Sequence, residues 1–164
     1  MKIRHNPWQW LAVCAALAMM LVTAGCGSES GQAGMWVVSA VDWYTSDWVP
    51  TSWSSSWGYR SDPGYVWLAV GLRVANTKQE SASINWFLDS MKFVSRDGNK
   101  YDQRLQLNDP YNALQTYYNP QQAQAGDVFF EIPDWLDPTT GTLLINMSEG
   151  PKNLIIRLEG LPRR

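Results

Sequence analysis

The chain has 164 residues, a formal net charge of −2, two cysteines and one histidine. Acidic residues outnumber the basic ones, which are scattered. This argues against binding to a nucleic-acid backbone, because that binding depends on clustered lysine and arginine. The length is sufficient for one ordinary domain.

The first 25 residues have the plan of a secretory signal peptide, with Lys2 and Arg4 before an apolar run over 10–24. The run is shorter than the ~20 apolar residues that a membrane-spanning helix needs. Its end, Leu21-Val22-Thr23-Ala24-Gly25-Cys26, resembles a bacterial lipoprotein lipobox in which Thr23 replaces the usual Leu. The resemblance implies cleavage before Cys26 and lipidation of that cysteine. An uncleaved N-terminal anchor and ordinary secretion are the alternatives.

Cleavage would leave a mature chain with little catalytic or metal-binding chemistry. It removes Lys2, Arg4, His5 and Cys14, so 11 basic residues remain against 15 acidic ones, a formal charge of −4. A Ser-His-Asp or Cys-His mechanism would then lack its imidazole base, and zinc sites are built mostly from His and Cys. We therefore expect no cofactor, no metal site and no catalytic residue. We expect the protein outside the cytoplasm, attached to the cell membrane or the outer membrane through the lipid on Cys26.

The residues next to Cys26 predict a flexible linker over 26–34, because GSESGQAG contains no large apolar side chain. A single domain is predicted over 35–160. Its clearest strand is 65–75, where strict alternation places five aliphatic side chains on one face. The predicted strands are 35–41, 65–75, 83–87, 91–95, 100–107, 126–132, 143–147 and 154–158.

No segment has a helical period beyond about two turns, and turn signals separate the strands regularly. Asp97-Gly98, for example, predicts a tight hairpin turn. The pattern predicts an all-β fold, an immunoglobulin-like antiparallel β-sandwich of about seven to eight strands.

Three segments occur in a distinctive order. The first is the long hydrophobic strand that ends in Asn76. The second is the strand 91–95, followed by Asp97-Gly98 and Tyr101. The third is the turn Asn119-Pro120-Gln121-Gln122 before a strand that ends in Pro133. This order resembles a family of uncharacterised bacterial extracellular domains that are common in lipoproteins and are sometimes labelled telomeric repeat-binding factor. The resemblance implies an immunoglobulin-like fold and surface display, and it supplies no catalytic residue.

The segment 43–59, WYTSDWVPTSWSSSWGY, is the most unusual part of the chain. Its position between two predicted strands predicts a surface loop. Exposed indoles can stack on sugars, fill peptide grooves or lie at a bilayer interface. We therefore predict contact with an envelope protein or a glycan. The alternatives are that the loop folds back and plugs the open end of its own sandwich, or that it contacts the nearby membrane. The predicted contact residues are Trp43, Tyr44, Trp48, Trp53, Trp57 and Tyr59.

A second long loop, 108–125, contains Tyr111, Tyr117 and Tyr118. If both loops lie at the same end of the sandwich, their rings form one aromatic patch. Otherwise these are ordinary tyrosines of a polar loop. The basic tail, Arg163-Arg164, is expected to be a frayed end.

Two pairs of aspartates, Asp42/Asp47 and Asp134/Asp137, have the residue type of a glycoside-cleaving carboxylate pair. Aspartates near turns are expected in any case. The sequence therefore predicts a non-catalytic binding or scaffolding role at the cell envelope, with no nucleic-acid partner. A carbohydrate- or peptide-binding lipoprotein is the first alternative, and an envelope hydrolase is the second.

Overall fold

The computed structural model describes residues 30–33, 36–51, 54–83, 90–104, 117–147 and 153–164. The predicted signal peptide and Cys26 lie outside these ranges. No helix among the described residues is long and apolar enough to cross a membrane. The described elements are β1 (Ser30–Ala33), β2 (Trp36–Ser46), β3 (Trp48–Thr51), β4 (Ser54–Arg60), β5 (Tyr65–Asn76), β6 (Ala82–Ser83), β7 (Ser90–Val94), β8 (Lys100–Asp102), β9 (Tyr117–Tyr118), β10 (Ala123–Pro133), a 3-10 helix (Pro138–Thr140), β11 (Thr142–Asn146) and β12 (Leu154–Arg157).

Two four-stranded antiparallel sheets form the sandwich. The first sheet has the order β1-β2-β5-β10, and the second has the order β12-β11-β7-β8. Two shorter strand pairs, β3–β4 and β6–β9, are attached to this frame. The predicted fold class, an all-β antiparallel sandwich, is confirmed. The strands of the two main sheets agree in number with the seven to eight that were predicted.

The main core lies between the two sheets. Alternate residues of β5 provide its centre, because Leu68, Val70 and Leu72 are fully buried on the face toward the second sheet. The second sheet meets them with Phe93, whose ring centroid lies 6.3 Å from that of Phe130 in the first sheet. Burying each such side chain contributes about 1.5–3 kcal/mol relative to leaving it exposed.

The opposite, outer face of β5 is also covered. Trp67, Ala69 and Phe129 form a second, smaller apolar cluster there together with Val49 of β3. The segment predicted as a surface loop is therefore different in the structure. It comprises the end of β2 and the β3–β4 hairpin, which packs over the outer face of the first sheet. The segment thus folds back onto its own sandwich, as the alternative predicted, but it covers the outer face of the first sheet instead of the open end.

The predicted linker is also partly structured. Residues 30–33 form β1, which pairs with residues 36–39 of β2. Strand pairing uses backbone groups, and these are the same in polar residues as in apolar ones. The absence of apolar side chains was therefore misleading. Gly31 allows the close approach, because a Cβ atom there would lie 2.1 Å from a methyl carbon of Leu154.

The C-terminal residues are paired as well, so the prediction of a frayed basic tail is wrong. The backbone N–H of Trp43 donates to the carbonyl of Pro162, and the N–H of Arg164 donates to the carbonyl of Trp43. Arg163 forms a parallel bridge with Trp43. Residues 161–164, called the tail below, thus lie along the same edge of β2 that β1 occupies further back.

Candidate binding surface

The structure separates the six aromatic residues that the sequence singled out. Trp43 is a core residue, with 7 % of its surface exposed, and its indole Nε1 donates to the carbonyl of Leu161 at 3.3 Å. Contrary to the prediction, it is not available to a ligand. Tyr44 is half-buried beside the second apolar cluster, and the guanidinium of Arg164 lies 4.8 Å from its ring centroid.

Trp48 and Tyr59 are exposed on the β3–β4 hairpin. The indole of Trp48 lies directly over Gly58, where a Cβ atom would come within 2.2 Å of the ring. Its exposed fraction is 36 %, and that of Tyr59 is 44 %. Gly58, which is paired with Pro50 and lies diagonally across the hairpin from Trp48, thus lets the indole lie close to the backbone while part of the ring remains open to solvent.

Hydrogen bonds fix this hairpin to the sheet. The Ser46 hydroxyl donates to the carbonyl of Trp48 at 2.6 Å and accepts from the N–H of Trp48 at 3.1 Å, which defines the bend between β2 and β3. The indole Nε1 of buried Trp67 donates to the carbonyl of Tyr59 at 3.1 Å. The exposed rings are therefore carried by a backbone that is held from beneath.

The remaining two predicted residues cannot be placed in the same detail. Trp53 lies outside the described residues. Trp57 belongs to β4, but its side chain is not among those described. Their predicted role in contact stays a prediction.

Two further exposed aromatic residues lie at the same end of the sandwich and were missed from the sequence. Tyr65 begins β5 and is paired with Pro133, the last residue of β10. Trp135 follows in the turn after β10, where the N–H of Asp134 donates to the carbonyl of Gly64. Trp135 has an exposed fraction of 71 %. In the sequence, both residues lie next to the end of a strand. This indicates that they are neighbours only when the register that pairs Tyr65 with Pro133 is known. We call Trp48, Tyr59, Tyr65 and Trp135 the aromatic end.

Electrostatic contacts at this end involve Tyr101 and Glu131. The pKa of Tyr101 is raised, first by burial and then by its neighbours Tyr65 and Asp97. Glu131 accepts a hydrogen bond from the backbone N–H of Asp62 and forms an ion pair with Arg104. Glu131 is thus paired, whereas Asp47 and Asp134, which precede Trp48 and Trp135, are exposed.

The second set of tyrosines lies at the opposite end. Tyr118 is buried against Trp36, with ring centroids 5.2 Å apart in an edge-to-face arrangement. Burial raises the pKa of Tyr118 to about 12. Tyr117 is exposed, and Tyr111 lies outside the described residues. Because Trp36 is paired with Asn76 at the far end of β5, the described tyrosines do not join the aromatic end.

Asn76 itself ties the turns of that far end together. Its side-chain amide donates to the carbonyls of Glu80 and Asn119, and its Oδ1 accepts from the N–H of Lys78. This buried side chain thus stabilises the turns at that end of the sandwich.

Asp42, from the predicted pair Asp42/Asp47, lies beside a different carboxylate, that of Asp127. It shares the guanidinium of Arg164 with Asp127, at 3.5 Å and 2.8 Å. Gly71 lies beneath them, and a Cβ atom there would come within 2.3 Å of Asp42 Oδ1. Burial lowers the pKa of Arg164, but the hydrogen bond and charge of Asp127, with Asp42, raise it above its usual value overall.

The other aspartates have separate structural positions. Asp137 caps the 3-10 helix, because its Oδ1 accepts from both the N–H and the hydroxyl of Thr139. Asp47 and Asp134 are exposed. Within the described ranges, no group of three His, Cys, Asp or Glu side chains is placed to hold a metal ion.

Comparison with known proteins supports the fold and nothing finer. No protein-family model matches the chain, so the telomeric repeat-binding label has no support. No curated protein matches it either.

Solved structures share the sandwich. An uncharacterized beta-sandwich protein from Clostridium difficile 630 is 14 % identical, with a TM-score of 0.53, over 79 % of this chain and 89 % of that one. A conserved hypothetical protein from Bacillus anthracis is 16 % identical, with a TM-score of 0.56, over 78 % and 92 %. The "putative lipoprotein (ycdA)" of Bacillus subtilis subsp. subtilis str. 168 is 14 % identical, with a TM-score of 0.54, over 83 % of this chain and 39 % of that one.

Proposed function

We propose that this protein is a non-catalytic β-sandwich module that is displayed outside the cytoplasm, attached to a membrane through a lipid on Cys26, and that contacts an envelope glycan or protein through its aromatic end. The observation that carries the proposal is the exposure of Trp48 on a hairpin whose underside is fixed by buried Trp67 and Val49. A rigid, partly exposed indole loses little conformational entropy on binding, which favours affinity.

The chemistry of the aromatic end supports a neutral, hydroxylated partner. Flat aromatic rings provide apolar area and a polar edge for such ligands. Ser61 and Asp62 lie beside the rings, where the N–H of Ser61 donates to the carbonyl of Asp47. A glycan chain satisfies both features, because its ring faces are apolar and its hydroxyls can pair with nearby polar groups.

The short distance between Cys26 and β1 supports contact at a membrane. If Cys26 carries the lipid, only residues 27–29 separate it from Ser30 at the start of the sandwich. At ~3.6 Å per residue the link spans at most about 14 Å. The module would therefore remain close to the bilayer. The description of one structural neighbour as a "putative lipoprotein" agrees with this placement.

A non-catalytic role is supported by the state of the carboxylates. Asp42 faces the guanidinium of Arg164, and Asp137 is occupied as a helix cap. Both carboxylates thus already have partners within the fold, whereas the carboxyl groups of a glycosidase act on a bound sugar. The hydrolase alternative predicts turnover that disappears on conversion of one carboxylate to its amide.

The proposal is tested by titrating neutral oligosaccharides and peptides into the protein while observing the indole N–H signals by NMR. We expect a saturable shift of the Trp48 signal and at least a tenfold loss of affinity in Trp48→Ala. The variant should still unfold cooperatively, with some loss of unfolding free energy because the indole also packs on Gly58. Saturable binding that Trp48→Ala leaves intact would contradict the proposed surface.

Attachment requires its own test, because it concerns residues outside the described structure. Metabolic labelling with palmitate should mark the wild-type protein and not the Cys26→Ser variant. Equal labelling of the two proteins would exclude the lipidated cysteine.

A further inference from the structure

A small pocket lies on the outer face of the first sheet, where Gly71 continues the outward-facing positions of Trp67 and Ala69 along β5. Its volume is about 150 Å³, and its walls come from β2, β5, β10 and the tail. This volume is below the ~300–1,000 Å³ of sites for whole small molecules. The pocket therefore suits the head group of a single side chain.

The strand register brings two carboxylates to this pocket. Gly71 is paired with Asp42 on β2 and with Asp127 on β10, so both aspartates lie on the same face as the glycine. An extra residue in β2, Val41, shifts the register just before Asp42 and sets this pairing. A Cβ atom on Gly71 would lie 2.3 Å from Asp42 Oδ1 and 3.5 Å from Asp127 Oδ1. Both oxygens therefore converge on the space above the glycine.

The tail places a guanidinium group in this space. Arg164 Nη2 lies 2.8 Å from Asp127 Oδ1 and 3.5 Å from Asp42 Oδ1. The guanidinium carbon also lies 4.8 Å from the ring centroid of Tyr44, which is two residues along β2 from Asp42. A planar guanidinium pairs with carboxylates through its fork of N–H groups and stacks on aromatic rings, whereas an ammonium is a compact point charge. The two carboxylates and the ring thus suit a guanidinium better than an ammonium.

Arg164 satisfies this site incompletely. Its hydrogen bond to Asp127 is made, but Asp42 Oδ1 is buried and has no hydrogen-bond partner among the described residues. The backbone N–H of Arg164 donates to the carbonyl of Trp43, and this bond fixes the point from which the side chain reaches the pocket. Buried polar atoms are nearly always paired, so the unpaired oxygen requires an explanation. An arginine that enters from outside lacks this backbone constraint and can donate to both carboxylates.

We propose that this pocket binds an arginine side chain of a partner protein and that Arg164 occupies it in the free protein. Exchange can take place from the solvent side, because the Arg164 side chain has an exposed fraction of 43 %. The carboxylates of Asp42 and Asp127 then complement the charge of the incoming guanidinium. This inference goes beyond the proposed function, because it concerns a different part of the first sheet and a cationic partner.

The site is tested by titrating N-acetylarginine amide into the Arg164→Ala variant at low ionic strength and following backbone amide signals by NMR. We expect saturable shifts centred on Gly71 and Asp127. The lysine analogue, N-acetyllysine amide, should bind at least tenfold more weakly because it lacks the planar fork. Equal affinity for the two compounds would overturn a guanidinium site.

Matched variants locate the site. The wild type should bind N-acetylarginine amide at least tenfold more weakly than Arg164→Ala, because its own guanidinium competes. Arg60→Ala removes an exposed arginine from the end of β4 and should bind as weakly as the wild type. The double variant Arg164→Ala/Asp127→Asn should lose the tenfold gain. Equal binding by Arg60→Ala and Arg164→Ala would show a general charge effect and overturn the proposal.

Two further measurements do not depend on the stability of Arg164→Ala. Arg164→Lys keeps a cation beside Asp127 and should bind the arginine compound at least threefold more tightly than the wild type, because lysine competes less well. In the wild type, saturation should move the side-chain Nε–H signal of Arg164 towards that of an exposed arginine. An unmoved signal at saturation, or a loss of binding in Trp48→Ala, would place the ligand elsewhere and overturn the proposal.

Discussion

Two regions, the β3–β4 hairpin and the tail, attach to the first sheet beside its main core. They differ in the interactions that hold them to the sheet. The β3–β4 hairpin is held by an apolar cluster in which Val49, Trp67 and Phe129 are almost completely buried. The tail has buried Leu161 and backbone hydrogen bonds to Trp43, and in addition an ionic contact, because Arg164 lies between Asp42 and Asp127. Apolar burial depends little on salt, whereas ion pairs at a surface are screened by it.

The difference shows which region suits a contact surface. The hairpin is fixed on its underside and leaves Trp48 open, so its exposed face is free to meet a partner. The tail uses its charged groups internally, and Arg163 also lies over the ring of Trp43 at 5.4 Å. The tail therefore stabilises the edge of β2, whereas the hairpin presents an exposed surface to a partner.

We expect the largest loss of stability in the variant Trp67→Ala. The ring has an exposed fraction of 6 % and donates to the carbonyl of Tyr59, so its loss should cost about 3–5 kcal/mol of unfolding free energy. Urea denaturation measures this. Trp135→Ala, at an exposed position, should change stability by no more than about 0.5 kcal/mol. Similar losses in the two variants would mean that the hairpin does not bury Trp67.

A substitution in the tail should lower the unfolding free energy by less than Trp67→Ala does. Arg164→Ala leaves the carboxylate of Asp127, whose side chain is 6 % exposed, without its guanidinium and should cost about 2 kcal/mol. The loss should be smaller in the double variant Arg164→Ala/Asp127→Asn, because the uncompensated charge is also removed. Losses that simply add in urea denaturation would contradict the charge-based account of the tail.

The substitution Gly58→Ala tests whether the indole of Trp48 lies on the hairpin backbone. Gly58→Ala places a methyl group against the indole of Trp48, so the ring must move away from the backbone. We expect a red-shifted tryptophan emission and a stability loss of about 1 kcal/mol, by the cost of overpacking. Gly64→Ala, where the structure has open space but a φ of 83°, should lower stability without shifting the emission. An unshifted spectrum in Gly58→Ala would mean that Trp48 does not lie on Gly58.

At neutral pH the smallest effect is expected from Tyr118, which neither region touches. Its pKa is about 12 in the folded protein and near 10.0 when unfolded, because burial favours the neutral phenol. The stabilisation is therefore complete below pH 10 and is lost as the pH rises from 10 towards 12. Denaturation midpoints should fall over this window more steeply in the wild type than in Tyr118→Phe. Parallel pH profiles would contradict the burial of this hydroxyl.

The sandwich was readable from the sequence because its core strands are regular. The alternation over 65–75 predicted β5 and its buried face almost to the residue. The predicted strands at 91–95 and 143–147 also match β7 and β11 within one residue at each end. Buried faces leave a period-two signal that requires no knowledge of the partner strand.

The candidate surface was less readable because it depends on register and on covering elements. Trp67 and Ala69 lie on the face of β5 opposite its aliphatic residues, and only the fold shows that Val49 covers them. The burial of Trp43 depends on the main core and on the tail, whose polar and basic residues gave no strand signal. β1 was missed for the same reason, since its pairing uses the backbone alone.

The most direct test of the account is acrylamide quenching of tryptophan fluorescence, compared between the wild type and the single variants Trp48→Phe and Trp67→Phe. We predict that Trp48→Phe removes a quenchable, red-shifted component and that Trp67→Phe removes a protected, blue-shifted one. If the component lost in Trp48→Phe were as protected as that lost in Trp67→Phe, Trp48 would not be open to a partner, and the observation that carries the proposed contact surface would be wrong.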